Sequence, residues 1–164
     1  MGGSTMTFAQ RVPMPAVPRP SIVVRVAATA VERAACDSLR RAVFIDEQHV
    51  PEADEWDGHD DEAVHFLAVE GDRPVGTARL RFLPDGVGKA ERVAVARDRR
   101  GAGIGRRLMD ALVERVRAAG GTAVQLASEV AAIPFYERLG WIAEGDVFDD
   151  AGIPHRHMFR NLTP

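Results

Sequence analysis

The sequence predicts one α/β (α+β) domain with a mixed, mostly antiparallel sheet of about seven strands flanked by helices. Three observations lead to this fold class. Three short apolar runs in the middle of the chain are separated by turns rich in Gly, Asp and Pro, as in an antiparallel meander. An apolar strand, a glycine turn, an amphipathic helix and another strand then follow in order, which indicates a parallel crossover. The last two extended runs are joined by a tight turn, as in a hairpin.

Composition and charge narrow the class of protein. With 164 residues, of which 46% are apolar and 27% charged, the chain is typical of a globular domain that needs no disulfide or metal to fold. Its net charge of −3 argues against a nucleic-acid partner. The sequence contains neither a signal-peptide pattern nor the roughly 20 apolar residues of a membrane helix, so we expect a cytoplasmic protein without a membrane partner.

The N-terminal part of the chain divides near residue 20. Residues 1–20 contain four prolines and predict a disordered tail, and residues 21–164 are expected to form the domain. Ser21–Ala27 is rich in β-branched residues and predicts the first strand. Thr29 can cap a helix that runs to about Gln48.

This first helix has a predicted apolar face and a predicted charged face. We expect five residues to face the core: Val31, Ala35, Leu39, Ala42 and Val43. We expect three to face water: Arg33, Arg40 and Arg41. Cys36 is the single cysteine, so no intramolecular disulfide can form, and its small apolar neighbours favour a buried thiol over a nucleophile.

The segment from Asp46 to Glu62, called the acidic segment below, holds nine Asp or Glu residues among its seventeen and has no helical or strand period. One interpretation is a solvated acidic loop. The other is the wall of a pocket for a cationic acceptor, because Trp56 offers a ring face to a cation and the carboxylates supply negative potential. The spacing does not match a calcium loop, so we expect no metal here.

The remaining elements follow in a regular order. The predicted strands are Val64–Glu70, Val75–Leu83, Lys89–Ala96, Thr122–Ala127, Trp141–Phe148 and Ile153–Leu162. A helix from about Gly103 to Ala118 has an apolar stripe with four-residue spacing: Ile104, Leu108, Leu112 and Val116. A short helix begins at Pro134 and ends before Gly140.

The glycine turn between strand and helix is the first candidate site. Gly101, Gly103 and Gly105 lie at the start of the helix, where unpaired N–H groups and the helix dipole suit a phosphate. The turn lacks the lysine and hydroxyl of a P-loop and the glycine spacing of a dinucleotide fold. By itself it could also be only a connecting turn.

Two separated motifs give the turn a context. Arg100-x-x-Gly103-x-Gly105 after an apolar strand resembles the acyl-CoA pyrophosphate motif of the GCN5-related N-acetyltransferase (GNAT) superfamily. Downstream, Phe135-Tyr136-Glu137-Arg138-Leu139-Gly140-Trp141 resembles that superfamily's Phe-Tyr-Glu-Lys-Leu-Gly-Phe segment. The order of elements over residues 21–162 is also similar. Residues 43–51, 55–58, 91–95 and 152–158 further resemble the small bacterial YjcF-like and ElaA-like acetyltransferases.

The resemblance implies a binding site for acetyl-CoA. The pyrophosphate would be held by the glycine turn, and pantetheine would lie along the strand before it, bonded to its backbone. The residues implied in cofactor binding are Val93, Ala94, Val95, Arg100, Gly101, Ala102, Gly103, Ile104, Gly105 and Arg106.

The resemblance also implies catalytic roles. Tyr136 would protonate the departing CoA thiolate. Glu91, which we expect on the same strand face as Val93, is the first candidate for the base that deprotonates the amine. Its alternative role is only to pair with Lys89 and Arg92, which flank it on the strand. Weaker candidates for the base are Glu47, His65, Glu129 and His157. The residues expected to contact the acceptor are Glu47, Trp56 and His157.

We therefore expect an N-acetyltransferase that moves an acetyl group from acetyl-CoA to the primary amine of a basic small molecule, by direct attack in a ternary complex. The alternative is a non-catalytic CoA-binding or protein-interaction module on the same fold. His155 and His157 share a strand face, but two ligands without a third rarely make a metal site, so no metal is expected. The sequence leaves the oligomeric state open, a homodimer included.

Overall fold

The structure is a computed structural model and describes residues 17–163. Most of the predicted proline-rich tail, residues 1–16, lies outside the described residues, and residues 17–20 precede the first strand without regular structure. Within the described range, no helix is long and apolar enough to cross a membrane.

Seven strands form one sheet, in the order β1-β2-β3-β4-β5-β7-β6. The strands are β1 (Ile22–Val26), β2 (Val64–Glu70), β3 (Arg73–Phe82), β4 (Gly88–Val95), β5 (Ala123–Glu129), β6 (Ile142–Asp150) and β7 (Ile153–Asn161). The β4–β5 pair is parallel and the other five pairs are antiparallel. The predicted mixed, mostly antiparallel sheet of seven strands is confirmed.

Four α-helices accompany the sheet: α1 (Ala30–Arg40), α2 (Glu52–Glu55), α3 (Ile104–Ala118) and α4 (Ile133–Arg138). As predicted, Thr29 caps α1, and Glu32 completes a reciprocal capping box with it. The expected single helix to Gln48 instead changes at Arg41 into a seven-residue π-helix, Arg41–Glu47. Such wide turns are rare and often mark functional sites.

The helices α1 and α3 cover opposite faces of the sheet. The apolar stripe of α3 is buried as predicted, with each of Ile104, Leu108, Leu112 and Val116 at most 1% exposed, and it packs on strands β2 to β5 and β7. On the other face, Cys36 of α1 is fully buried against Leu67 and Val69 of β2, which confirms the buried thiol.

Three side chains of the first helix lie on a different side than expected. Val31 is 80% exposed and Ala42 is also exposed, because the contact with the sheet is made by Ala35, Cys36 and Leu39 and the π-helix then shifts the faces. Arg40 is fully buried instead of facing water. The spacing could not show that carboxylates on other segments would neutralise this guanidinium inside the protein.

Candidate active site

A bulge in β4 sets the shape of the candidate site. The register pairs Thr77 with Ala94 and Arg79 with Glu91, so Arg92 and Val93 together lie opposite Ala78. Arg92 has φ +53°, in the left-handed region that favours glycine. The bulge therefore bends β4 at the point where the cofactor was expected to lie.

On its other edge, β4 separates from β5. Register pairs join Gly88 to Val124 and Lys89 to Gln125, and within residues 17–163 the two strands have no pairs beyond these. We call the space between residues 90–95 of β4 and residues 126–129 of β5 the groove. An extended ligand arm can hydrogen-bond to a strand edge left open in this way.

The bulge also reverses the alternation of side chains along β4. Val93 and Val95 pack against the core beneath α3, whereas Glu91 pairs across the sheet with Arg79 on the α1 face. The expectation that Glu91 and Val93 share a strand face is therefore wrong. The residue that the bulge inserts shifts every later side chain to the opposite face.

The glycine turn meets the groove at the N-terminus of α3. Gly101 and Gly103 have φ +80° and +77°, and a Cβ at either position would meet no atom within 4 Å. Their backbone therefore borders open space, into which the first N–H groups of α3 can donate. Gly105 has a different role, because a Cβ there would lie 3.2 Å from Cζ of Phe135 on α4.

Arg100 connects this turn to the acidic segment. Its Nη1 and Nη2 donate to Oε1 and Oε2 of Glu47 at 2.6 and 2.9 Å, and its Nε donates to the Val95 carbonyl oxygen at 3.2 Å. The structure therefore places Glu47, expected on the acceptor side, beside the turn. Arg106, also expected to bind the cofactor, is largely exposed on the first turn of α3. Its Nε lies 3.7 Å from Oδ2 of Asp110, one turn further along the helix.

Tyr136 lies on α4, in the core contact between that helix and the sheet. Its ring makes edge contacts with Phe135 and Trp141, with centroid separations of 4.9 and 5.9 Å. Burial raises the pKa of Tyr136 to about 12, and the negative charge of Glu129 adds to this shift. The phenol is therefore protonated at neutral pH, as a proton donor must be.

Glu129 ends β5 where the groove opens. Its charge also raises the pKa of Arg100, although the main cause of that shift is the hydrogen bonding to Glu47. Its carboxylate is half-buried and, within the described residues, forms no hydrogen bond or ion pair. Register places His155 of β7 beside it. Glu129 is therefore an unneutralised carboxylate at the mouth of the groove, between Tyr136 and Arg100.

Glu91, the first candidate for the base, is enclosed by cations. Arg79, Arg81 and Lys89 all contact its carboxylate at 2.8 to 3.0 Å, and its side chain is 10% exposed. Burial raises its pKa, but the hydrogen bond from Arg81 and the charges of Arg79 and Lys89 outweigh that effect and hold the pKa at about 2. A carboxylate with so low a pKa accepts a proton poorly at neutral pH.

The ring of Trp56 is in contact with cations of this chain. The guanidinium groups of Arg40 and Arg41 lie 4.8 and 5.7 Å from its ring centroid, and its Nε1 donates to Glu52 at 3.3 Å. The ring that was expected to receive a cationic acceptor is therefore stacked with cations of this chain.

Three carboxylates of the acidic segment are neutralised by arginines of other elements. Glu55 pairs with Arg40, Asp57 accepts two hydrogen bonds from Arg79, at 2.8 and 2.6 Å, and Asp60 accepts from both Arg40 and Arg79. The other six carboxylates lie on exposed residues, so the segment is in part the solvated loop of the first interpretation and in part an internal ionic contact that neither interpretation anticipated. Its composition could not show this, because the arginines come from α1 and β3.

The histidines named from the sequence lie apart. His65 is buried on β2, where Nε2 lies 2.9 Å from the Asp60 carbonyl oxygen, and burial lowers its pKa. His157 is exposed on β7 and stacks on Phe148 with a centroid separation of 4.6 Å, and His155 stacks on the same ring at 6.0 Å. These two imidazoles lie on β7, along the edge of β5 that faces away from the groove, while His65 belongs to the α1 face.

Comparison with known proteins decides the family. The model of the acetyltransferase (GNAT) family matches residues 30–141, which is more than half of the chain. The chain belongs to the GNAT acetyltransferase family. It is 37% identical over 124 residues to a Bacillus subtilis protein named N-acetyltransferase YjcF, covering 75% of this chain and 88% of that protein. It is 36% identical over 132 residues to B. subtilis YyaT, covering 76% and 88%.

Solved structures agree with this GNAT assignment. A protein from Lactobacillus plantarum has a TM-score of 0.82 and 30% identity, covering 87% of this chain and 99% of that one. Escherichia coli ElaA has a TM-score of 0.76 and 28% identity, covering 85% and 99%. An aminoglycoside 6′-N-acetyltransferase complexed with coenzyme A shares the fold, with a TM-score of 0.70, 18% identity and coverage of 87% and 98%.

Sequence reasoning missed two arginines that shape this GNAT site, Arg79 and Arg92. A signal for Arg79 was present, because Arg79 and Arg81 occupy alternate positions of a predicted strand and so share one face. Charged residues on a face that a helix covers need partners of opposite charge. No comparable signal marked Arg92, since nothing in its neighbours predicts a left-handed residue inside a strand.

Proposed function

We propose that this protein transfers an acetyl group from acetyl-CoA to the primary amine of a small basic molecule. The observation that carries the proposal is the juxtaposition of a glycine turn bordering open space, at the N-terminus of α3, with the groove between β4 and β5. The turn suits a pyrophosphate and the open strand edge suits the amide groups of pantetheine. CoA carries both groups on one molecule.

Each part of the site then has a role. N–H groups of Gly101 to Gly105 and the charge of Arg106 would hold the pyrophosphate, together with Arg100 where it leaves Glu47. The backbone of Val93, Ala94 and Val95 would hold the pantetheine arm. This arrangement would direct the thioester toward the groove mouth, where Tyr136 and Glu129 lie.

The reaction needs one proton acceptor and one proton donor. The amine nitrogen attacks the thioester carbonyl carbon, the C–S bond breaks, and an amide and free CoA result. Glu129 would take the proton that the ammonium must lose before attack, directly or through water, and pass it to solvent. Tyr136 would give a proton to the departing sulfur and regain one from the nitrogen, which releases its second proton as the amide forms. No covalent intermediate with the protein is needed. Glu129 replaces Glu91 as our candidate base. Three cations enclose the carboxylate of Glu91, whereas no cation among residues 17–163 pairs with that of Glu129.

We infer a basic acceptor from the negative charge at the groove mouth and not from the acidic segment. Glu129 supplies a negative charge there, and Glu144 and His157, paired in register on β6 and β7, border the same side of the sheet. An amine that enters as an ammonium ion is attracted by a carboxylate in this position. Glu47 would join this surface when Arg100 turns to a pyrophosphate.

The test combines calorimetric titration with a thiol-release assay. Acetyl-CoA is titrated into the protein, and release of free CoA thiol is then followed with a panel of polyamines, amino sugars, lysine derivatives, and neutral and acidic amines. We expect acetyl-CoA to bind and basic amines to accelerate thiol release above the hydrolysis background.

The same panel separates the alternatives. Binding of acetyl-CoA without acetylation of any amine would favour the non-catalytic CoA-binding module. Acetylation restricted to neutral or acidic amines would overturn the acceptor class but retain the reaction. Absence of acetyl-CoA binding would overturn the proposed function as a whole.

A further inference from the structure

Arg92 occupies an unusual place in the chain. It is the inserted residue of the β4 bulge, and its backbone has φ +53°, a conformation that residues other than Gly rarely adopt. A residue in this region persists where surrounding contacts hold it, and such residues cluster at functional sites. The contacts of Arg92 therefore show what holds the bulge.

Those contacts all come from the acidic segment. Nη2 of Arg92 donates to the carbonyl oxygens of Asp54 and Glu55, at 3.0 and 3.3 Å, and to Oδ2 of Asp57 at 3.2 Å. Its Nε lies 2.8 Å from Oε2 of Glu55. One guanidinium thus bridges the end of α2 and the turn after it to the bulge in β4.

The acidic segment is itself anchored from the other side. Glu55 is 2% exposed and accepts a hydrogen bond of 2.5 Å from Arg40 of α1. Asp57 is held by the two hydrogen bonds from Arg79 of β3. Because two of the three partners of Arg92 are fixed, Glu55 to α1 and Asp57 to β3, they form a rigid support for the bulge.

We propose that Arg92 is a positioning residue, held by the acidic segment, that keeps β4 bulged and the groove open for the pantetheine arm of acyl-CoA. This inference rests on the proposed function for the identity of the ligand. The acidic segment then serves cofactor binding as a support beneath the sheet. Without the support, a residue other than Gly at position 92 would return to extended backbone, and β4 could pair further along β5.

Two substitutions separate the side chain from the backbone conformation. Arg92→Ala removes the contacts and disfavours positive φ, whereas Arg92→Gly removes the same contacts but permits positive φ. Arg117→Ala, on the exposed side of α3, is the control, since its partner Glu114 is also exposed. Near-ultraviolet circular dichroism establishes that each variant is folded.

The ligands are CoA and 3′-phosphoadenosine 5′-diphosphate, which is CoA without its pantetheine arm. We expect Arg92→Ala to weaken CoA binding by about tenfold or more, with a smaller loss in Arg92→Gly and none in Arg117→Ala. Affinity for the arm-free nucleotide should stay at the wild-type value in every variant. An equal loss of both ligands, or no loss of CoA affinity in Arg92→Ala, would overturn the proposal.

Hydrogen exchange tests the bulge without any ligand. In Arg92→Ala the backbone amides of residues 90–95 and 126–129 should become more protected, because the two strand edges can pair, and Arg92→Gly should resemble the wild type. Unchanged protection in a folded Arg92→Ala variant would refute the role of Arg92 even where CoA binds. If that variant does not fold, Arg92→Gly decides: weaker CoA binding with unchanged affinity for the arm-free nucleotide would support the proposal, and wild-type affinity for CoA would refute it.

Discussion

Tyr136 and Glu129 show how the surroundings of single residues suit them to opposite roles in proton transfer. Burial and the nearby Glu129 charge raise the pKa of Tyr136 to about 12, so the phenol keeps its proton at neutral pH. The Glu129 carboxylate is half-buried and has no cation bound to it within the described residues. One group can therefore donate a proton and the other accept one, at the same end of the groove.

We predict that removing either group lowers turnover more than it changes the binding of acetyl-CoA. Tyr136→Phe keeps the ring contacts and removes the hydroxyl, and Glu129→Gln keeps the shape and removes the charge. Each should reduce kcat by about a hundredfold, the usual contribution of a positioned acid or base, while the Kd of acetyl-CoA stays nearly constant. Steady-state kinetics and calorimetric titration measure the two quantities.

Glu137→Gln provides the matched control, because Glu137 is exposed on the same helix next to Tyr136. It should behave like the wild type. Wild-type turnover in Tyr136→Phe would remove Tyr136 from the chemistry, and wild-type turnover in Glu129→Gln would do the same for Glu129.

The residue-level predictions from sequence succeeded where they depended on local pattern. The stripe of α3 was predictable because helical spacing alone determines which side chains share a face. Arg40 and Glu91 were misplaced because their surroundings depend on distant segments and, for Glu91, on one inserted residue. Period-two reasoning fails across a bulge.

At the scale of elements, the acidic segment shows how a charged sequence can be an internal part of the fold. It was expected to be irregular, but its first two residues end the π-helix and the single turn α2 lies within it. Its carboxylates accept hydrogen bonds from Arg40 and Arg79, which belong to elements on either side of it in sequence. Composition alone cannot distinguish carboxylates that face water from carboxylates that face buried arginines, because both give the same sequence pattern.

The glycine turn is the element whose function can be tested with a matched pair of substitutions. Gly103 and Gly86 have φ of +77° and +78°, and a Cβ at either position would meet nothing within 4 Å. Asp at either position therefore imposes similar backbone strain. Gly103→Asp also adds negative charge at the N-terminus of α3, whereas Gly86→Asp adds it to the β3–β4 turn at the other end of β4.

We predict that Gly103→Asp weakens CoA binding by about a hundredfold, because added charge and bulk oppose a pyrophosphate at the helix terminus. Gly86→Asp should lose comparable thermal stability but keep the CoA affinity of the wild type. Calorimetric titration and thermal unfolding measure the two effects. CoA affinity that is unchanged in Gly103→Asp would place the pyrophosphate elsewhere.

At the scale of the whole molecule, a buried ionic network joins α1, the acidic segment, β3 and β4. Its cations are Arg40, Arg79, Arg81, Lys89 and Arg92, and its carboxylates are Glu55, Asp57, Asp60 and Glu91. The fold class was predictable because the order of strands, turns and helices along the chain is local information. The network was not, since all of its contacts except the Lys89–Glu91 pair join different elements of the chain.

The network makes the free energy of unfolding depend on pH in the acidic range, and the pKa shifts give the direction of that dependence. The pKa of Glu91 is lowered from 4.5 to about 2. Hydrogen bonds from Arg79 lower the pKa of Asp57. Burial raises the pKa of Asp60, but hydrogen bonds from Arg40 and Arg79 outweigh that effect and lower it. These groups bind fewer protons in the folded than in the unfolded chain. Their stabilisation is complete above about pH 4.5 and is lost as the pH falls toward 2. Glu55 acts in the opposite direction, because burial raises its pKa.

We therefore predict that the free energy of unfolding falls between pH 4.5 and 2 and that Glu91 accounts for up to about 3 kcal/mol of this fall. Urea unfolding at a series of pH values measures it. Glu91→Gln leaves Arg79, Arg81 and Lys89 without this carboxylate, so it should lower the stability at pH 7 and flatten the pH dependence below 4.5. Glu114→Gln, on the exposed face of α3, should follow the wild-type curve. Parallel curves for Glu91→Gln and the wild type would show that the ionic network does not govern stability in acid. The support that the network gives to the β4 bulge would then persist at acidic pH.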